Sequence, residues 1–124
     1  GAPLPGPGFF SAPTLLTGVS PGMPAYEEEV FGPVAVIVPV RDTAEAIAVA
    51  NDTPFGLGAA IFTRSRRLAA QLAPQIEAGT VVINHYVRSD PALPFGGVKQ
   101  SGFGRELGLW GIRSFVNVKT LSGV

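Results

Sequence analysis

The chain has 124 residues, no cysteine, one histidine, and nine basic side chains against nine acidic ones, so its formal charge is zero. Without cysteine it carries no disulfide, thiolate metal site, iron–sulfur cluster or cysteine nucleophile, and one histidine is a poor basis for a metal centre. Balanced charge leaves no global field to draw in nucleic acid or an anionic membrane. An apolar share of 46% predicts a folded core, with about 65–70% of the chain's surface buried in a single domain of this size. Glycine and proline, 16 and 12 residues, take nearly twice the usual share of about 12%.

No basic region followed by an apolar stretch opens the chain, so no secretory signal is read there. The longest apolar run, Val34 to Val40, is far shorter than the roughly 20 residues that span a bilayer. A soluble cytoplasmic protein is the expectation.

Residues 1–24 hold Pro3, Pro5, Pro7, Pro13, Pro21 and Pro24 among five glycines. Each proline removes a backbone donor, so the segment is expected to lie extended and to sustain no central strand. The β-branched run Val34–Val40 predicts a strand buried on both faces. Asp42 and Glu45 have capping-box spacing ahead of a short helix over Ala44–Asn51. A turn through Asn51–Gly56 precedes a second strand, Gly58–Phe62. Thr63 or Ser65 caps a longer helix with Leu68, Leu72 and Ile76 on one side, weakened at its end by Pro74 and stopped near Gly79. Thr80–Asn84 is a third strand. The order β-α-β-α-β predicts an α/β fold with a parallel sheet. A long loop, 85–106, leads to a helix around Leu107–Ser114 and an alternating, half-exposed strand, Val116–Thr120.

The glycine motifs do not meet either nucleotide fingerprint. Gly97 and Gly102 have the spacing of a phosphate-binding loop, but Phe103 stands where lysine is required. Gly102 and Gly104 are followed by Leu107 where a dinucleotide motif needs a third glycine. His85, Ser89 and Asp90 lie within six residues with nothing to orient them as a triad, and read as a solvated loop. Their position matters more than their types: ligands of parallel sheets bind beyond the carboxyl ends of strands, which places Arg88 or Ser89 near a ligand. Glu27–Glu29 reads as a solvated acidic run, yet it abuts Phe31-Gly32-Pro33 directly before the first strand.

Taken together, several segments resemble the aldehyde dehydrogenase superfamily. They are Glu29-Val30-Phe31-Gly32-Pro33-Val34, Ala50 to Leu57 (ANDTPFGL), Gly79 to Asn84, Leu93 to Gly102 (LPFGGVKQSG) and Gly104 to Gly108 (GRELG). The opening Gly6-Pro7-Gly8-Phe9-Phe10 with Pro13-Thr14 extends the match, which is collinear over nearly the whole chain. The context around Ser89-Asp90-Pro91 is most similar to succinate-semialdehyde-type members.

The resemblance implies a three-layer catalytic-domain portion: an extended arm over 1–33, an α/β part over 34–114 and an oligomerisation-type strand over 115–124. It implies oxidation of an aldehyde to a carboxylate with NAD or NADP, through a cysteine thiolate and a glutamate-activated water. Glu29 would bind the nicotinamide ribose hydroxyls, Phe31 would pack near the nicotinamide ring, and Phe95 would line the aldehyde pocket. Ser89, with Arg88, would meet the far end of the substrate, where a guanidinium suits a carboxylate. The nucleophilic cysteine, the glutamate base and the dinucleotide domain would lie upstream of residue 1. The chain alone is therefore expected to be inactive and to bind cofactor weakly. It is expected to associate, as a dimer or with a separate N-terminal part, because Phe9, Phe10, Phe31 and Phe95 would be exposed. The alternative is a non-catalytic interaction module derived from the same fold.

Overall fold

The computed structural model describes residues 2–123. By internal packing these fall into two units, divided between Ala46 and Ile47.

In the first unit the opening segment folds back on itself: Leu4 N–H donates to the Phe10 carbonyl at 2.9 Å, and Ala12 N–H to that of Ala2 at 3.1 Å. A strand then forms where none was expected. β1, Thr14–Thr17, pairs in parallel with β2, Val34–Ile37, with Thr14 opposite Val34 and Thr17 opposite Ile37. The prolines flank β1 rather than interrupt it: Pro13 precedes it and Pro21 follows, so all its own backbone donors remain available. A short helix, α1 over Pro24–Glu27, lies between the two strands. β2 is not buried on both faces. Ala35, Val36 and Ile37 are exposed and only Val34 is half-buried, because a two-stranded sheet in this unit has no second layer over it.

The helix predicted after β2 is α2, Thr43–Asn51. Asp42 caps it as expected, its Oδ1 accepting from Glu45 N–H at 2.9 Å. The reciprocal half of the capping box is replaced. Glu45 Oε2 accepts from Arg41 N–H at 2.6 Å and from Arg41 Nε at 3.0 Å, so it serves the residue before the cap. These two bonds from Arg41 hold the Glu45 carboxyl below its usual range.

In the second unit β3, Gly58–Ile61, and β4, Thr80–Ile83, pair in parallel from Gly58 opposite Thr80 to Ile61 opposite Ile83. Between them runs α3, Arg66–Leu72. Ser65 caps it, its Oγ accepting from Leu68 N–H at 3.2 Å. Pro74 ends the α-helical part, and the chain continues as a 3-10 turn over Ala73–Gln75. A second 3-10 turn, Lys99–Ser101, interrupts the long loop, and α4 spans Gly108–Arg113.

Two corrections follow. The expected single sheet is two separate two-stranded sheets, β1–β2 and β3–β4, because β2 takes its partner from the N-terminal segment. Val116–Thr120 forms no strand, since a strand needs a ladder partner and none is offered among the described residues; Val118 is 95% exposed.

The predicted degree of burial is also not reached. The only buried apolar side chains among the described residues are Val19 and Ala69. Phe9, Phe10 and Phe31 are exposed as anticipated, whereas Phe95 is half-buried. No helix among the described residues is long and apolar enough to cross a membrane.

Three consequences can be measured. Gly79→Ala would drive its Cβ onto the Gly96 carbonyl oxygen, so denaturant unfolding should show a loss of about 1–3 kcal/mol. Ser65→Ala, which removes only the α3 cap, should cost about 1 kcal/mol. Because the folded-state Glu45 carboxyl is held low, its stabilising contribution is present above the ordinary glutamate range and is lost as pH falls through the lowered value. Acid titration of the unaltered chain should show this step, and Glu45→Gln should abolish it.

Candidate functional site

Three segments far apart in sequence meet around one peptide group. The turn Asn51–Gly56 follows α2, the segment 75–79 precedes β4, and Val98–Ser101 lies in the long loop. Gly56 N–H donates to Ser101 Oγ at 2.9 Å. Its carbonyl accepts two bonds, from Gly79 N–H and from Val98 N–H, both at 3.0 Å. Gln100 N–H donates to the Pro54 carbonyl at 2.9 Å. No side chain fits at Gly56, where a Cβ would stand 2.6 Å from both the Glu77 carbonyl oxygen and Val98 Cγ2.

Side chains extend the same joint. Asn51 uses both ends of its amide, donating to the Gln75 carbonyl at 2.8 Å and accepting from Glu77 N–H at 2.9 Å. Lys99 Nζ donates to the carbonyls of Asn51 at 2.7 Å and Thr53 at 3.1 Å, and pairs with Glu77 Oε2 at 2.7 Å. On the loop's other side Arg105 Nη1 donates to the Gly97 carbonyl at 2.8 Å and that of Gly104 at 2.6 Å. Phe95 and Glu106 exchange both backbone bonds at 2.8 Å, closing the loop as an antiparallel bridge. The PFGG segment is thus held from both flanks.

Beside it lies a hollow of about 250 Å³, lined by Gly79, Thr80 and Val82 of the β4 region and by Arg88, Asp90, Leu93, Pro94 and Phe95 of the loop. It combines an apolar wall with one cationic group. Arg88 makes no hydrogen bond or ion pair with the described residues, so its guanidinium is available. Asp90 is already engaged, its Oδ1 accepting from Ala92 N–H at 2.9 Å. Thr80 Oγ1 is buried without a partner.

Of the residues singled out in sequence, Arg88 and Phe95 share this hollow. Ser89 is exposed and next to Arg88 in the chain but is not part of the lining. Glu29 and Phe31 belong to the first unit, both exposed, Phe31 by 91%. His85, Ser89 and Asp90 form no triad: His85 Nδ1 lies 2.9 Å from the Tyr86 carbonyl oxygen, and Asp90 serves Ala92. A wider recess, about 490 Å³, sits at the carboxyl ends of β3 and β4 among Phe62, Thr63, Arg64, Arg66, Ile83 and Asn84. Asn84 clasps Thr63 there, accepting from its N–H at 2.8 Å and donating to its carbonyl at 2.9 Å. None of the anticipated site residues lines it. Among the described residues no group of acidic or histidine side chains is arranged to hold a metal. Sequence reading missed Asn51, Gly56, Lys99 and Ser101 as the frame of the site; their only local signal was membership of the two motifs that meet here.

A probable succinate-semialdehyde dehydrogenase (NADP+) from Synechocystis is 54% identical over 121 residues, which is 98% of this chain and 27% of that protein. The chain therefore spans about a quarter of the length of the curated relatives it matches. Among solved structures, succinic semialdehyde dehydrogenase from Streptococcus pyogenes in complex with NADP+ superposes with a TM-score of 0.89 at 46% identity, covering 94% of this chain and 26% of that one. The aldehyde dehydrogenase of Bacillus cereus in its NAD+ complex gives 0.88 at 42%, covering 94% and 24%. The model of the aldehyde dehydrogenase family matches residues 1–121, and the chain belongs to that family.

Proposed function

We propose that the chain supplies the substrate-side portion of an NAD(P)-dependent aldehyde dehydrogenase whose substrate is a short aldehyde bearing a carboxylate, of the succinate semialdehyde class. The observation that carries this reading is the hollow beside Phe95, where an unpaired guanidinium stands at an apolar wall. Such a site suits a molecule with a short methylene chain and a terminal carboxylate. Arg88 pairs with that carboxylate, the exposed Ser89 hydroxyl adds a donor beside it, and Phe95 with Leu93 covers the chain of the substrate. The relatives named for succinate semialdehyde support the same class.

In this reading the NAD(P) cofactor would accept hydride from the substrate. Residues of this chain fit only its nicotinamide end. The Glu29 carboxylate is exposed and can accept from two ribose hydroxyls, and the Phe31 ring presents a free apolar face. No dinucleotide-type glycine motif is present for the pyrophosphate. Alone, the chain binds cofactor weakly and oxidises no aldehyde, because it holds no thiol to attack the carbonyl. The arm over 1–33, the α/β part over 34–114 and the 115–124 segment act within a larger catalytic domain. Val116–Thr120 becomes a strand when another subunit offers a ladder partner, and the exposed apolar surface favours association, with a dimer as the leading state.

A chimera tests this. Residues 1–121 replace the matching segment of the Synechocystis relative, and aldehyde oxidation is followed by NADPH absorbance. The chimera should oxidise succinate semialdehyde, and Arg88→Ala should raise its KM for that aldehyde at least tenfold while sparing an uncharged aldehyde of similar length. Equal losses on both aldehydes would contradict the assignment of Arg88. The 124-residue chain by itself should form no NAD(P)H.

A further inference from the structure

Among the described residues three non-glycine residues have positive φ, and all lie on or beside the long loop: Asn84 at 53°, Lys99 at 54° and Leu107 at 62°. A side chain in that region is held at a cost that glycine would avoid, so an unforced lysine there calls for a compensating interaction. Asn84 has one, in its paired bonds to Thr63. Lys99 has a stronger one. Its ammonium places all three N–H donors, on the Asn51 carbonyl, the Thr53 carbonyl and Glu77 Oε2. Those acceptors belong to the turn after α2 and to the segment before β4, separated from Lys99 by 48, 46 and 22 positions. The Lys99 side chain is only 25% exposed, whereas that of Glu77 is 58% exposed. The ammonium is therefore the sheltered member of the pair, and the carbonyls rather than the carboxylate fix its place.

From this geometry we infer that Lys99 is the positioning residue of the substrate loop: its ammonium clasps the loop onto the 51–56 turn and so sets where Phe95 stands in the hollow. The left-handed backbone at 99 is what points the side chain back across the joint, and the clasp is what holds that backbone. The connection to Phe95 runs through three residues, over which Val98 N–H is tied to Gly56 and the Gly97 carbonyl to Arg105. The consequence for substrate rests on the function proposed above; the clasp itself does not.

Lys99→Gly separates the two effects with opposite signs. Glycine relieves the φ cost and removes the clasp. Amide hydrogen exchange of the full 124-residue chain should rise at least tenfold at Val98, Gln100 and Ser101, while Ala69 in α3 stays within twofold. Unchanged or slower exchange at those amides would overturn the inference, since backbone relief alone would then govern the loop. Should the substitution speed exchange throughout the chain, Lys99→Met, which keeps the aliphatic stem and removes only the ammonium, decides: a rise of at least fivefold confined to 98–101 supports the clasp, and no rise there refutes it. In the chimera, Lys99→Gly should raise KM for succinate semialdehyde about tenfold with kcat within twofold, and a fall in kcat with KM unchanged would count against a positioning role. A chimera inactive with Lys99 in place would refute the proposed function and leave the exchange result to judge the clasp.

Discussion

The Gly56 peptide group is the constraint from which the rest of the second unit follows. Its N–H is taken by Ser101, and both lone pairs of its carbonyl are taken by backbone donors from two other segments. One of those donors, Gly79, is the residue before β4, and two residues after Gly56 the ladder with β3 begins, at Gly58 opposite Thr80. The other, Val98, anchors the loop that carries Phe95. Register of the sheet and placement of the loop are thus set by the same group. Close approach is the requirement: at Gly56 and Gly79 a Cβ would meet backbone from across the joint, so glycine serves here for contact rather than for turning. Unshielded, such a cluster of carbonyls would be costly, and Lys99 and Arg105 supply donors at its margins.

The second constraint is surface. Many side chains that elsewhere form cores are exposed. Of the eight phenylalanines only Phe95 is half-buried and the other seven are exposed, and Trp110, Ile112 and Phe115 lie open around α4. Surfaces of this kind belong to large obligate interfaces or to the inner faces of bigger domains. The chain matches only about a quarter of each relative's length. Local hydrogen bonding can therefore organise a site that the chain's own hydrophobic packing does little to stabilise.

How much of this was readable in the residues depends on range. β2, β3 and β4 announce themselves as β-branched or apolar runs, and Ser65 as a cap, because those signals act within a few residues. β1 does not, since its neighbours Pro13 and Pro21 mask a proline-free Thr14–Thr17, and what makes it a strand is a partner 20 positions away. Asp42 and Glu45 show the capping-box spacing, but Arg41 offers Glu45 a charged donor as well as an amide and takes its carboxylate. Val116–Thr120 has strand alternation without a partner among the described residues. At the site, position beyond a strand end picked out Arg88 and motif resemblance Phe95, and the two do share a hollow. The bonds that frame it, Gly56 to Ser101 and Lys99 to Asn51, span 45 and 48 positions and leave no periodic trace in sequence.

The central claim, that the 51–56 turn, the 75–79 segment and the 98–101 loop form one cooperative joint around Gly56, is tested most directly by native-state hydrogen exchange of the unaltered chain against denaturant. The amides of Gly79, Val98 and Gln100, each donated across the joint, should open with one common free energy and one denaturant dependence. Three separate opening energies, with Val98 and Gln100 exchanging as freely as an unstructured loop while Gly79 remains protected, would contradict the account.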